Sequence, residues 1–249
     1  RVLLLDIETA PNAAWVWGLF DQNISASQVE ASGYVLCWSA KWLGEKTLRF
    51  ARVGKNRAGE REMLAKIHAL LDEADIVVHY NGRKFDIPTL NREFIKFGMA
   101  PPSPYKQVDL LQVAKRAFRF ESNKLDYVSQ ALGIGQKVKH KGFELWIACM
   151  RGDAKAWAQM ERYNRQDVAL LERLYRRLRP WIEKHPNLGA HGEGLCCPKC
   201  GSEKVQKRGE QVAQLHRYTR YQCQVCGGWF RGNKSRSARG VERGVNIVG

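Results

Sequence analysis

The stretch Val2-Leu3-Leu4-Leu5-Asp6-Ile7-Glu8 constrains this chain more than any other. A short apolar run of this kind reads as a buried central strand. Strand alternation then sets Asp6 and Glu8 on one face, two residues apart, at the strand's end. Adjacent carboxylates repel, and at least one has a raised pKa unless a cation lies between them. Taken alone, the pair would also suit a solvated strand end.

The rest of the first two-thirds alternates strands and helices. Residues 33–43 and 46–53 are β-rich runs separated by Gly44-Glu45, a hairpin signal. Met63, Leu64, Ile67, Leu70 and Leu71 recur at the spacing of an amphipathic helix over 60–71. A strand is expected over 75–80, closed by Asn81-Gly82, residue types suited to positive φ. Residues 85–97 read as a helix with Pro88 in its first turn, where no amide donor is needed, and Gly98 as its stop. Pro101-Pro102-Ser103-Pro104 leads into a strand ending at Asp109, and helices are expected over 110–118 and 125–132. A last long helix carries Val168, Leu171, Leu174, Tyr175, Leu178, Trp181 and Ile182 as one stripe, with Pro180 near its end. Helices packed on a mixed central sheet make the fold class α/β.

A Gly-rich stretch without periodicity, 186–194, separates this α/β domain (1–185) from a metal module (195–232) and a basic Gly/Ser-rich tail (233–249). Five of the seven cysteines fall between Cys196 and Cys226, whereas Cys37 and Cys149 are isolated in apolar surroundings and read as buried thiols. The cluster suits a metal site in a reducing compartment better than a disulfide framework. Charge points the same way as function. The chain holds 41 Lys and Arg against 25 Asp and Glu, a net +16, and such a surplus favours a polyanion, since each neutralised phosphate releases counterions. Nucleic acid suits this better than a membrane surface, because no basic amphipathic anchor helix is present. The apolar run before Asp6 is too short for a signal peptide, and no segment reaches transmembrane length, so the expected location is cytoplasmic.

Two more acids and a tyrosine join the first pair. Asp86 follows the expected strand and turn, with Phe85 able to plug the core. Asp167 lies four residues after Tyr163, so both share one side of a helix that Val168, Leu171 and Leu174 would dock on the sheet. Four hard oxygen ligands from three elements can hold two Mg²⁺ or Mn²⁺ ions, with water and substrate phosphate completing the shells.

Together Asp6-Ile7-Glu8-Thr9, Asn81-Gly82-Arg83-Lys84-Phe85-Asp86 and Tyr163-Asn164-Arg165-Gln166-Asp167 resemble the three exonuclease motifs of the DEDD 3′–5′ exonucleases. That superfamily has the ribonuclease H-like fold and includes polymerase proofreading domains and RNase D. Arg162, not His, stands five positions before Asp167, so the resemblance is to the tyrosine branch. Each motif alone is weakly specific; their order and contexts, over about residues 1–183, carry the likeness. The resemblance implies two ions clamping the scissile phosphate, with Asp6 bridging both, Glu8 and Asp167 on the nucleophile side, Asp86 on the other, and Tyr163 orienting the attacking water. A tyrosine with a free pKa of about 10 stays protonated at neutral pH, so water deprotonation falls to the metal.

Other residues carry weaker expectations. Thr9 is expected to touch the terminal nucleotide through its backbone, as in the similar family. Asn81 could bind the substrate strand or simply make the turn, and Asp109 suits the N-cap of the helix after it. Lys124 lies where relatives approach substrate, though a solvated charge run looks the same. His79 and His140 read as structural or solvent-facing. Trp15, Trp17 and Phe20, in a loop-like stretch, could stack on unpaired bases; packing beneath the loop is the preferred reading.

Cys197-Pro198-Lys199-Cys200 and Cys223-Gln224-Val225-Cys226 are two Cys-x-x-Cys pairs separated by 22 residues, each followed by a glycine. Four thiolates at this spacing suit one structural zinc, and the module resembles a zinc ribbon with strands over 218–222 and 228–231. Tyr218, Tyr221, Trp229 and Phe230 interleave with Arg217, Arg220 and Arg231, the chemistry of a nucleic-acid grip. Docking onto a polymerase or helicase is the rival reading. The combined expectation is a metal-dependent 3′–5′ exonuclease acting on single strands or 3′ ends, DNA before RNA, in a replication or repair setting that includes virus-encoded proteins. A structure-selective endonuclease and an idle nucleic-acid-binding adaptor are the alternatives.

Overall fold

In the computed structural model, which describes residues 1–139, 142–190 and 194–237, β1 (Val2–Thr9) is the middle strand of a five-stranded sheet. A short ribbon of β2 (Ala13–Ala14) and β3 (Val29–Ala31) follows, then β4 (Val35–Trp42) and β5 (Arg49–Arg52). β4 pairs antiparallel with β1, and β5 with β4, the chain turning through Gly44 at φ +89°. After α1 (Glu60–Asp72), β6 (Ile76–His79) joins β1 on its other side in parallel. α2 (Asp86–Lys96) leads to β7 (Lys106–Asp109), parallel to β6. The order β5-β4-β1-β6-β7 is the mixed sheet anticipated. α3 (Leu110–Ala117), α4 (Leu125–Ala131), α5 (Phe143–Met150) and α6 (Ala154–Leu178) complete the α/β region.

The leucine run of β1 is continuous because both faces of the strand are covered: Leu3, Leu4 and Leu5 are all fully buried, each contributing about 1.5–3 kcal/mol of apolar burial. Leu3, Leu5 and Ile7 enter the core with Trp38, with Met63, Leu64, Ile67 and Leu71 of α1, and with Ile87, Leu90 and Phe94 of α2. The Trp38 indole N–H donates to the Met63 carbonyl at 3.0 Å, locking α1 to the sheet. On the opposite face, Lys41 (the cross-strand partner of Leu4) meets Glu172 of α6 at 2.5 Å. Within β1, only Val2–Leu4 pair with β6. Beyond Leu4, the β6-side edge of β1 is left open to side chains, and that opening is where the acids gather.

Several local expectations need correction. Trp15, Trp17 and Phe20 lie, as expected, in a loop, the connection between β2 and β3, but they do not pack beneath it: Trp15 is 70%, Trp17 99% and Phe20 83% exposed. α5 has no strong polar face, so periodicity did not reveal it. Trp181 does not belong to the buried stripe; the helix stops at Leu178, a 3-10 turn over Arg179–Trp181 contains Pro180, and Trp181 is 62% exposed. Asp109 does cap α3, accepting from Leu111 N at 3.0 Å, and His79 is buried as a structural histidine. His140 lies outside the described residues.

The chain divides into two compact units, Arg1–Tyr175 and Arg176–Gly249, so the last turn of α6 clusters with the C-terminal module rather than with the domain expected over 1–185. In the second unit β8 (Val205–Val212), β9 (His216–Cys223) and β10 (Trp229–Ser237) form an antiparallel sheet in the order β10-β9-β8. β8 is polar along most of its length and gave no strand signal. β10 runs past residue 232, so 233–237, expected in the tail, are strand residues; 238–249 lie outside the described residues. Among the described residues no helix is long and apolar enough to cross a membrane.

Candidate metal centre and active site

The open edge of β1 brings three motifs together. Asp6 and Glu8 project from its end, with a register irregularity between Glu8 and Thr9. Asp86 opens α2, and its Oδ1 accepts the Ile7 N–H at 3.1 Å, a backbone donor that β6 leaves unused. From α6, Asn164 donates through Nδ2 to Asp6 Oδ2 at 2.6 Å. Asp167, one helical turn after Tyr163, completes a group in which one carboxylate oxygen each from Asp6, Glu8 and Asp167 lie within 4.8 Å of one another. Asp86 is adjacent rather than a member of this close triplet, held aside by its bond to Ile7.

The cluster concentrates negative charge where water is scarce. Burial, then Asp167, Glu8 and Asp86, raise the Asp6 carboxyl well above the ordinary range. Burial and Asp167 push Glu8 up to about 8, opposed by Lys137 and by a hydrogen bond from Trp146. Burial lifts Asp86 to about 7 against the pull of its backbone bonds, and burial likewise raises Asp167 against Lys137. Tyr163 is raised further, by burial and then by Asp167 and Glu8, so its hydroxyl keeps its proton. Asp167 Oδ1 is buried without a hydrogen-bond partner. Converging hard oxygens, carboxyls that repel one another and an unsatisfied buried oxygen all fit a divalent cation of the Mg²⁺ or Mn²⁺ type.

A buried frame holds the turn before Asp86. His79 Nδ1 accepts from Gly82 N at 3.0 Å while Nε2 faces Gln107 Oε1 at 3.1 Å, which sets the neutral tautomer with hydrogen on Nε2. Asp109 Oδ1 accepts from Asn81 N at 3.0 Å as well as capping α3. Asn81 has φ +69°, and a Cβ at Gly82 would fall 2.5 Å from His79 Cγ, so this turn needs its own two residue types.

Asp6, Glu8, Asp86, Tyr163 and Asp167 therefore gather in one place; Thr9 is a half-buried residue ending β1, and Asn81 makes the turn five residues before Asp86. Lys124 is an exposed residue at the start of α4, and no contact described for it reaches the acids. Sequence reasoning missed three neighbours. Lys137 donates to Tyr163 Oη at 2.9 Å and pairs with Asp167 Oδ2 at 2.6 Å. Asn164 lies inside the third motif, whose spacing marks only Tyr163 and Asp167, and Trp146 sits on α5, which has no two-faced pattern. Lys137 is one of several lysines in 137–141, and nothing in the sequence marks it out.

The four expected cysteines converge separately in the second unit. Sγ atoms of Cys197 and Cys226 are 3.7 Å apart, and those of Cys200 and Cys223 3.6 Å apart. Four thiolates at a Zn–S distance of about 2.3 Å form a tetrahedron with edges of about 3.8 Å, so the set fits zinc. Backbone N–H groups of Val225 and Cys226 point at Cys223 Sγ, and with neighbouring thiols these bonds outweigh burial and lower that thiol to about 7. Cys196 stays outside, bonded to the Gly189 carbonyl. Lys199, between the first pair, reaches the Pro180 carbonyl.

Fold and site define an α/β domain with an acid cluster at the end of its central strand. The family model of the RNase H superfamily matches residues 3–179, and the chain belongs to that superfamily. Among solved structures, the chain is similar to a family B DNA polymerase from the hyperthermophilic archaeon Pyrobaculum calidifontis, with a TM-score of 0.55 and 18% identity. That match covers 72% of this chain and 24% of the polymerase, so the likeness concerns one part of a much longer protein. No curated protein matches the chain.

Proposed function

We propose that this protein is a metal-dependent nuclease that removes nucleotides from 3′ ends, with DNA favoured over RNA. The observation that carries the reading is the convergence of Asp6, Glu8 and Asp167 within 4.8 Å, beside Asp86 and Tyr163. Membership of the RNase H superfamily and the three motifs resembling DEDD exonucleases support it. Asp6, Glu8, Asp86 and Asp167 would hold two Mg²⁺ or Mn²⁺ ions, which supply an activated water and charge stabilisation at the leaving oxygen. Tyr163, protonated, aligns the incoming water by its hydroxyl. Asn164 fixes the rotamer of Asp6, and Trp146 that of Glu8, so the ligand oxygens are held before any cation arrives.

The four-thiol module is assigned one structural zinc, and its aromatic-arginine face is assigned to the nucleic-acid strand. Arg231 lies 4.1 Å over Tyr218 and Arg220 5.0 Å over Trp229, while Tyr221 stacks on Phe230. Exposed Trp15, Trp17 and Phe20 offer a further stacking surface after the first motif. A replication or repair complex is the setting assigned to it, with a protein partner there as the second reading of the ribbon.

End-labelled single- and double-stranded DNA and RNA, incubated with Mg²⁺ or Mn²⁺, test the reading. Products shortening stepwise from the 3′ end, absent in Asp6→Ala, are expected. Internal cuts would make the protein an endonuclease, and tight binding without cleavage would make it an adaptor.

A further inference from the structure

The acid cluster already contains one cation of its own. Lys137 arrives on the segment between α4 and α5, where its backbone N–H donates to Asp126 Oδ1 at 2.7 Å. Its ammonium group bonds Asp167 Oδ2 and the Tyr163 hydroxyl, and lies 4.9 Å from the centre of the tyrosine ring. Gly135, two residues earlier, keeps this segment close to α6: a Cβ there would stand 3.0 Å from Leu170. Lys137 is thus anchored in its backbone, and its charge acts on Asp6, Glu8 and Asp167 together. Among the described residues one positive charge acts on Asp6, Glu8 and Asp167, and it holds Oδ2 of Asp167 while Oδ1 of the same carboxylate is left without a partner.

We propose that Lys137 is the built-in counter-cation of the metal-free site, neutralising Asp167 and surrendering that carboxylate when a divalent ion binds. The inference rests on reading the acids as a metal site. An ammonium can bond one oxygen of Asp167 but cannot draw Asp6, Glu8 and Asp167 into one coordination shell. A dication can, so the two compete for the same ligand. The lysine keeps the empty cluster from repelling itself apart, and the competition sets how readily metal enters.

Manganese binding by the zinc-loaded full chain, followed by calorimetry, separates these roles. Lys137→Met keeps the stem and removes the charge. It should bind Mn²⁺ about tenfold more tightly than wild type, the scale of one partly screened charge interaction, and should unfold at a lower temperature when metal-free. Lys137→Arg should behave like wild type in both. Mn²⁺ affinity that is unchanged or weaker in Lys137→Met overturns the counter-cation role, whereas wild type that binds no Mn²⁺ overturns the metal reading itself. A measurement on wild type alone guards against a variant that does not fold. Amine-reactive labelling read by mass spectrometry should rise at Lys137 on adding Mn²⁺, and labelling that ignores saturating Mn²⁺ overturns the displacement.

Discussion

Metal binding at this site should expel protons, and the amount follows from the two acids whose values are set. Glu8 at about 8 and Asp86 at about 7 are roughly 90% and 50% protonated at pH 7, so ~1.4 protons leave when a cation takes both carboxylates. At pH 9 the same groups hold only ~0.1 proton. The protonation cost at pH 7 corresponds to a roughly 20-fold weaker Mg²⁺ affinity than at pH 9, about 1.8 kcal/mol. Burial raises Asp6 and Asp167 as well, with repulsion from the neighbouring acids adding at Asp6, so the dependence should be no shallower. Isothermal calorimetry with Mg²⁺, in two buffers of different ionisation enthalpy at each pH, measures affinity and proton release together. No proton release at pH 7, with affinity flat up to pH 9, would refute the reasoning. It would mean that Lys137 and Asn164 keep the cluster ionised without metal.

Four further outcomes are expected. In metal-free protein Asp86 binds a proton more tightly folded than unfolded, so its stabilising contribution is present below about 4 and lost as the pH rises to about 7; wild type should lose up to about 4 kcal/mol relative to Asp86→Asn across that window in chemical denaturation. Asn164→Ala removes the 2.6 Å bond to Asp6 and should cost about 1–3 kcal/mol in thermal unfolding while lowering nuclease activity. Gly82→Ala drives a methyl group into His79; a loss of about 1–3 kcal/mol is expected, with reduced Mg²⁺ affinity as the Asp86 turn shifts. Cys223→Ser should release zinc, measured by atomic absorption, and unfold β8–β10 as seen by protease cleavage within 195–237, because so small a sheet depends on its metal.

Much of the site was legible from the chain. A leucine run ending in Asp6 and Glu8 can only be a strand with two acids on one face, and the four-residue step from Tyr163 to Asp167 puts both on one side of a helix. Asn81-Gly82 announced a turn, and two Cys-x-x-Cys pairs announced four thiols around one point. Each of these follows from local periodicity or from backbone preferences within a few residues. Polar β8 and evenly apolar α5 escaped for the same reason, since neither carries a two-face pattern.

Only the tertiary structure decided what those local pieces meet. Asp86 bonds Ile7 because β6 ends early against β1, a matter of strand length and register across the sheet. Lys137 reaches Asp167 across 30 residues of chain, and Asn164 reaches Asp6 across 158, contacts that no periodicity encodes. The exposure of Trp15, Trp17 and Phe20, on the connection between β2 and β3, was decided in the same way. Short-range geometry is set by covalent and steric rules that act on neighbours; the charge balance of the acid cluster arises only when distant segments share one buried volume.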